Sequence, residues 1–266
     1  MAGSPDDLYA KDVVTLLDLE ELDRNLYRGI NSAWSLHRNS LYGGQVAAQA
    51  LMAAGRTVDP DRFPHSLHGY FLRPGQVDRP VILRVDPDRD GGSFSARHVS
   101  AIQDGEVIFS MLASFHRGEP ENRLDAMPQS DVPEPSACRL HESDPLAENR
   151  EVTYTEIVDG RQLFSDCFWT RTAAALPDDR LVQACALTYL SDQGSGFGRT
   201  GHEIGISGPS LDHAIWFHEP IRADDWVLLH MWPRKSTRAR GLYDAAMRDP
   251  SGRLGAVVAQ ENLLRH

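Results

Sequence analysis

Asp192 is the strongest candidate for a general base in the second half of the chain. It follows an apolar run that ends at Leu190 and precedes the loop Gln193–Phe197. A carboxylate that is partly removed from water in such a setting becomes a better base. An aspartate that faces solvent at a helix end would have the same local sequence, so the residues alone leave both interpretations open.

Gln260 lies in a segment whose alternation predicts a strand. Every second residue forms one face: Leu254, Ala256, Val258, Gln260, Asn262 and Leu264. Gln260 therefore points the same way as Ala256 and Val258, an unusual direction for an amide unless it has a hydrogen-bond partner. A water molecule held by Asp192 would be such a partner, and a core glutamine bonded to backbone would fit equally.

The three residue types of a Ser-His-Asp triad are present at Ser210, His213 and Asp212. We reject that interpretation because adjacent residues on a strand point to opposite faces. The chain also has no G-x-S-x-G segment of the kind that presents a nucleophilic serine. We expect Asp212 and His213 to support the site or the interface between the two halves.

Gly43 and Gly44 open an Ala-rich segment that predicts a helix. Free amide groups at a helix N-terminus can polarise a substrate carbonyl, and missing side chains let a ligand approach. A glycine pair also marks an ordinary junction between loop and helix.

His65 and His68 flank a predicted strand start without an evident third ligand, so we predict no metal site. His68 is either a pocket residue that contacts the substrate or a structural histidine.

Basic residues are candidates for contact with an anionic ligand. Where several of them lie close together in the sequence, a solvated basic hairpin is the commoner explanation. The candidates are Arg73, Arg97, Arg234, Lys235, Arg238 and Arg240.

The elements that must position these residues occur in the same order in both halves. In the first half a helix from Gly43 to about Val58 precedes strands at Ser66–Leu72, Pro80–Val85, Ser93–Gln103 and Val107–Phe115. In the second half a helix from about Asp179 to Ser191 precedes strands at Leu211–Phe217, Trp226–Trp232, Ala239–Met247 and Leu254–Leu264. Both helices are apolar nearly all round, which predicts that their neighbours bury them.

Short matches between the halves indicate an internal duplication. Phe71–Pro74 matches Phe217–Pro220, and Ala96-Arg97 matches Ala239-Arg240, at offsets of roughly 143 to 148 positions. We predict two copies of one α+β unit, at residues 1–117 and 151–266. Residues 118–150 are rich in proline and form a predicted linker. A long loop inside one domain is the alternative for that segment.

Composition excludes several classes of protein. The 266 residues are 41% hydrophobic and 24% charged, as in a globular protein with a core. The net charge of −11 argues against nucleic-acid binding, and no apolar run reaches membrane-span length. The first residues lack a secretory pattern, the last three are not a peroxisomal signal, and the three cysteines show no C-x-x-C spacing. We therefore expect a cytoplasmic protein.

Seven segments, in order, resemble the acyl-CoA thioesterase II family. They are Leu16–Gly29 (LLDLEELDRNLYRG), Tyr42–Leu51 (YGGQVAAQAL), His65–Gly75 (HSLHGYFLRPG), Gly92–Arg97 (GSFSAR), Tyr189–Asp192 (YLSD), Ser210–His218 (SLDHAIWFH) and Val258–Arg265 (VAQENLLR). The resemblance implies a tandem, or double, hot-dog fold, in which an antiparallel sheet wraps around long central helices. It also implies hydrolysis of fatty acyl-CoA to free fatty acid and coenzyme A, without a cofactor.

The family pattern carries over to three residues of this chain. In that family the nucleophilic water is held by an acidic residue that ends the second helix, a hydroxyl before the LDH segment and a glutamine in the final strand. The resemblance therefore implies these roles for Asp192, Ser210 and Gln260. Two alternatives stay open: a non-catalytic acyl-CoA-binding or regulatory hot-dog protein, and an acyl-thioester hydratase, whose D-x-N-P-x-H pattern we do not find. The resemblance also implies a homo-oligomer, either a dimer or a tetramer.

Overall fold

The computed structural model describes residues 9–32, 40–119, 124–152, 155–158, 161–164, 166–194, 196–197 and 206–265. Residues 1–8 of the predicted first domain lie outside the described residues, as do residues 120–123 of the predicted linker. Within the described ranges, no helix combines the length and apolar character that crossing a bilayer requires.

The two longer helices of the described ranges are those predicted from the sequence. α1 spans Val13–Leu17, α2 spans Gly43–Gly55 and α3 spans Arg180–Ser191. The carboxylate of Asp179 accepts hydrogen bonds from the first backbone N–H groups of α3, which stabilises the start of that helix. α2 and α3 pack against each other, and almost every residue of α2 is buried.

The strands, in chain order, are β1 (Tyr9–Ala10), β2 (Glu20–Asp23), β3 (Leu26–Gly29), β4 (Asn31–Ser32), β5 (Arg62–Phe71), β6 (Val81–Asp90), β7 (Phe94–Gln103), β8 (Glu106–Arg117), β9 (Arg139–Asp144), β10 (Ala147–Glu151), β11 (Thr155–Val158), β12 (Arg161–Phe164), β13 (Cys167–Thr172), β14 (Ile206–Ser210), β15 (Asp212–Phe217), β16 (Val227–Thr237), β17 (Arg240–Arg248) and β18 (Leu254–Arg265). The eight predicted strands correspond to β5 to β8 and β15 to β18. The prediction missed the strands with weak or mixed alternation.

One antiparallel sheet connects both halves. Its strand order is β2-β3-β6-β7-β8-β5-β15-β18-β17-β16-β13-β10-β9, and β14 also pairs with β18. The halves join where β5 pairs with β15, from Tyr70 opposite Asp212 to Ser66 opposite Trp216. Inward-facing side chains of the sheet cover the two helices. The predicted α+β architecture, a sheet around central helices, is therefore confirmed.

The predicted linker contains two strands that its sequence did not indicate. β9 lies inside it and β10 ends one residue beyond it, and β10 pairs with β13 at the edge of the sheet. Buried positions of this pair include the polar residues Asp144 and Asn149. The strands therefore lack the apolar alternation by which a strand is recognised. The division into domains at residues 117 and 150 stays a prediction.

The earlier part of the same segment crosses the outer face of the second half. The carboxylate of Asp125 accepts two hydrogen bonds, at 2.6 and 3.0 Å, from the buried guanidinium of Arg248. The carbonyl of Pro133 accepts one from the indole of Trp169 at 2.9 Å. This segment thus covers apolar side chains on the face of the sheet that points away from the helices.

Candidate active site

The carboxylate of Asp192 is held at the point where the two central helices meet. Asp192 ends α3 and is only 8% exposed. Its Oδ2 accepts a hydrogen bond from the backbone N–H of Gly44 at 2.8 Å, in the first turn of α2. A helix N-terminus favours a negative charge, so this contact stabilises the ionised carboxylate. The sequence left open whether Asp192 faces solvent or is buried, and the structure shows that it is buried.

Ser210 and Gln260 lie against the same carboxylate. Nε2 of Gln260 donates to Oδ1 of Asp192 at 2.9 Å and to Oγ of Ser210 at 2.5 Å. The hydroxyl of Ser210 lies 3.4 Å from Oδ1 of Asp192. The predicted inward direction of Gln260 is confirmed, since its side chain is 1% exposed on β18. The structure thus brings the predicted trio together, while the catalytic roles of its members stay a proposal.

His213 orients the amide of Gln260. The imidazole is fully buried, its Nδ1 contacts Oε1 of Gln260, and its Nε2 lies 2.8 Å from Oγ of Ser191. An amide oxygen can only accept, so Nδ1 carries the hydrogen of this bond. Nε2 of Gln260 must then point toward Asp192. His213 therefore supports the site, as its position beside Ser210 suggested.

A Ser-His-Asp triad does not form. Both ring nitrogens of His213 have partners other than Ser210. The carboxylate of Asp212 accepts from the backbone N–H of Glu261 at 2.7 Å. The rejection of the triad on grounds of strand alternation is therefore confirmed.

The glycine pair at the start of α2 packs closely against Asp192 and Tyr189. A Cβ on Gly43 would lie 2.6 Å from Oδ2 of Asp192, and one on Gly44 would lie 2.6 Å from the carbonyl oxygen of Tyr189. Gly43 lines the cavity described below. The N–H of Gly44, however, is engaged by Asp192 rather than free to polarise a carbonyl. Sequence reasoning placed this amide at the ligand, whereas in the structure it positions the carboxylate.

His68 does not belong to this site. It is exposed on β5, where its ring packs edge-on against Trp216 with 4.9 Å between centroids. Side chains alternate between the faces of a strand, so the fully buried Leu67 points to the helices and His68 points outward. The prediction that His68 contacts a ligand in the pocket is corrected accordingly.

A cavity of about 920 Å³ opens beside the trio, and Asp192, Ser210 and Gly43 line it. Its apolar lining includes Leu41, Tyr42, Val46, Phe71, Ile108, Phe109 and Phe168. Its polar lining includes Asp144, Asn149, Glu151, Asp166 and Gln193. A cavity of this size accommodates an extended organic ligand. The buried carboxylate thus lies where a ligand could reach it.

Of the basic residues considered for contact with an anion, Arg73 lines the described part of the cavity. It donates to the carbonyl of Val107 at 2.9 Å and pairs with Glu106 at 2.8 Å. Three more of these candidates have partners within the protein: Arg97 bonds to Thr57 and Asp90, Arg234 pairs with Asp244, and Arg240 pairs with Glu261. These pairs indicate structural roles.

Cys167 also lines the cavity but is not a nucleophile. Burial is the largest of the effects that raise the pKa of its thiol to about 12, so the reactive thiolate is scarce at neutral pH. Among the described side chains, no group of three histidines, cysteines or carboxylates could hold a metal ion.

Known proteins match both halves of the chain. Residues 30–116 match the family model of the acyl-CoA thioesterase N-terminal domain, and residues 146–264 match that of the C-terminal domain. Human acyl-coenzyme A thioesterase 8 is 32% identical over 98% of this chain and 91% of its own length.

Solved structures agree with the fold. An acyl-CoA thioesterase II from Mycobacterium marinum is 38% identical, with a TM-score of 0.82 over 96% of this chain and 98% of its own. A protein with hot dog fold from Alicyclobacillus acidocaldarius, 20% identical, has a TM-score of 0.76 over 96% of this chain and 98% of its own. The double hot-dog fold predicted from the sequence is thereby confirmed.

Proposed function

Because the chain belongs to the acyl-CoA thioesterase II family, we propose that it hydrolyses fatty acyl-CoA to a free fatty acid and coenzyme A. Family membership makes it a thioester hydrolase. The observation that carries the finer proposal is the convergence of Asp192, Ser210 and Gln260 beside one cavity, whose wall includes Asp192 and Ser210.

The three side chains form a complementary binding set for one water molecule. The carboxylate of Asp192 accepts, the amide Nε2 of Gln260 donates, and the hydroxyl of Ser210 does both. These atoms lie within 3.4 Å of one another, so a single water that takes over one of their mutual hydrogen bonds can contact all three. Asp192 takes a proton from this water as the oxygen attacks the thioester carbonyl carbon.

Breakdown of the resulting tetrahedral intermediate completes the reaction. The carbon–sulfur bond breaks, and the sulfur of coenzyme A receives the proton that Asp192 had taken. A thiol is far more acidic than an alcohol, so its anion leaves readily. Asp192 thereby returns to the ionised state that the N–H of Gly44 stabilises. No covalent bond to the protein forms in this scheme.

A covalent acyl-enzyme has little support in the site. In the described part of the chain, His213 bonds to Ser191 and Gln260 rather than to Ser210. The hydroxyl of Ser210 is instead shared with the amide of Gln260 and the carboxylate of Asp192. The thiol of Cys167 stays protonated at neutral pH. We therefore propose direct attack by water.

The walls of the cavity suggest how the substrate lies. Aromatic and aliphatic side chains from the first half, such as Val46, Phe71 and Phe109, offer an apolar surface for the acyl chain. Arg73 is half-exposed and lines the cavity, so it can meet a phosphate of coenzyme A. The two alternatives drawn from the sequence, a hydratase and a non-catalytic binding protein, have no observation in their favour.

Release of free thiol from a panel of acyl-CoA substrates tests the proposal. We expect Asp192→Asn and Gln260→Ala each to reduce turnover about a hundredfold, the scale of losing a general base or its positioning partner. Asp178→Asn is the matched control, because that aspartate is fully exposed just before α3 and distant from the cavity lining.

Two results would contradict the mechanism. If Asp192→Asn and Gln260→Ala both hydrolyse palmitoyl-CoA and shorter thioesters at the wild-type rate, the trio does not carry the reaction. Mass spectrometry of stalled reactions should find no acyl group on Ser210. A stable adduct there would establish covalent catalysis in place of direct attack by water.

A further inference from the structure

Gln193 follows the proposed base and forms part of the cavity wall. It is 9% exposed, between the end of α3 and Gly194. Its backbone N–H donates to the carbonyl of Leu190 at 3.2 Å and so completes the last turn of the helix. Gly194 has φ +95°, a conformation that favours glycine, so the chain turns sharply here. The position of Gln193 is thus restrained on both sides.

The amide of Gln193 is oriented by one hydrogen bond. Its Oε1 accepts a hydrogen bond from Oγ1 of Thr170, which is fully buried on β13, at 3.3 Å. The other end of the amide, Nε2, takes no part in this hydrogen bond. Within the described part of the chain, that Nε2 is buried and has no hydrogen-bond partner. A buried donor without an acceptor is unfavourable and calls for a partner that the protein itself does not supply.

Thioester hydrolysis requires such a donor. Negative charge develops on the carbonyl oxygen as water attacks, and hydrogen-bond donors must stabilise it. Two amides near the base are already occupied: the N–H of Gly44 by Asp192, and the Nε2 of Gln260 by Asp192 and Ser210. Gln193 adds a donor group on the residue next to the base.

We propose that Nε2 of Gln193 donates a hydrogen bond to the carbonyl oxygen of the bound thioester and stabilises the oxyanion. Gln193 would then be a catalytic residue in addition to the trio. This inference rests on the proposed thioesterase function, because it assigns a second task within the same reaction. The amide is neutral, so it supplies a donor without altering the charge beside Asp192.

Two substitutions that remove the donor test the inference. Gln193→Met keeps the approximate length of the side chain, and Gln193→Glu replaces the donor with an oxygen. We expect both to lower kcat for acyl-CoA hydrolysis by about a hundredfold, the scale of losing one oxyanion donor, with KM changed less than about threefold. For Gln193→Met the pH dependence of the remaining activity should be unmoved, because this variant adds no charge beside Asp192. Gln129→Met, at an exposed position in the segment that crosses the outer face, is the matched control.

Inhibitor binding gives a readout that does not depend on turnover. An S-(2-oxoalkyl)-CoA has a ketone oxygen near the position of the thioester carbonyl, whereas an S-alkyl-CoA of equal length has none. Gln193→Met should weaken binding of the ketone and leave binding of the S-alkyl compound unchanged. Its melting temperature should change little, because the loss of the hydrogen bond from Thr170 offsets the removal of an unpaired buried donor.

The outcomes separate this inference from the function on which it rests. If Gln193→Met retains the wild-type kcat and ketone affinity while Asp192→Asn is inactive, the role of Gln193 is refuted and the thioesterase mechanism stands. If Gln193→Met lowers the melting temperature and weakens both inhibitors equally, the residue is structural and the inference is also refuted. If Asp192→Asn is fully active, the proposed mechanism itself fails.

Discussion

Substitution of Gly43 by alanine should separate the stability of this protein from its activity. Gly43 is the first residue of α2, and its φ is not positive, so alanine can adopt the same backbone conformation. Alanine is the better helix former, and such a replacement contributes about 0.4 to 1 kcal/mol to the stability of the folded state where it fits. Helix propensity alone thus predicts a more stable protein.

The new methyl group would collide with the proposed base. Its Cβ would lie 2.6 Å from Oδ2 of Asp192 and 2.8 Å from Cζ of Phe71, whereas ordinary contact begins near 3.4 Å. The carboxylate must therefore move by about 0.8 Å. The hydrogen bond from Gly44 would lengthen with it. Both displaced atoms are ends of side chains, so the backbone can stay in place.

We expect a loss of activity without a loss of stability. A misplacement of about 1 Å in a catalytic group reduces the rate by about a hundredfold, which corresponds to about 2.7 kcal/mol of activation free energy. Displacing the side-chain atoms costs free energy, and this cost offsets the gain in helix propensity. The free energy of unfolding should therefore stay within about 1 kcal/mol of the wild type.

Two measurements on the same samples test this expectation. Release of thiol from palmitoyl-CoA gives kcat/KM, and urea denaturation gives the free energy of unfolding. Gly55→Ala is the matched control in the same helix, since the atoms nearest to its Cβ would belong to the flexible side chain of Leu181, the first at 2.4 Å. If Gly43→Ala hydrolyses palmitoyl-CoA at the wild-type rate, catalysis does not depend on the position of Asp192, and our reasoning is wrong.

Two further predictions concern stability. The hydroxyl of Tyr243 has no hydrogen-bond partner in the described structure, whereas that of Tyr189 donates to Asp144 at 2.7 Å. Tyr189→Phe should therefore lower the free energy of unfolding by about 1 to 3 kcal/mol, whereas Tyr243→Phe should lower it little or raise it. Equal losses of the two variants in urea denaturation would contradict this expectation. Burial lowers the pKa of His230 from 6.5 to about 4, so its contribution to stability is fully present above pH 6.5 and is lost as the pH falls toward 4. Between pH 6.5 and 5 the wild type should lose about 2 kcal/mol more than His230→Gln, and parallel pH curves would refute the shift.

The main elements of the fold could be predicted because their signals are local. A helix that is apolar all round and strands with alternating side chains, such as β8 and β18, require only the spacing of residues along a few turns or pleats. β9 and β10 escaped prediction because their buried positions hold polar residues, among them Asp144 and Asn149. The partners that satisfy such residues lie in distant segments of the chain.

The trio of Asp192, Ser210 and Gln260 could be named from the resemblance, and the inward direction of Gln260 from alternation alone. The outward direction of His68 was harder to predict, because apolar residues follow it at successive positions and obscure which face is buried. Gln193 was not predicted at all. An amide after a helix is ordinary in sequence, and only the contact with Thr170 and the burial of Nε2 distinguish it.

The sequence by itself determined the two longer helices and eight of the strands, predicted that the unit is duplicated, and showed which residue types are available for chemistry. Only the tertiary structure decided that the N–H of Gly44 bonds to a carboxylate 148 residues away, and that His213 turns Gln260 toward that carboxylate. The physical reason is that hydrogen bonds act over about 3 Å. Such distances depend on how α2, α3 and the strands pack together, which no local pattern of residues encodes.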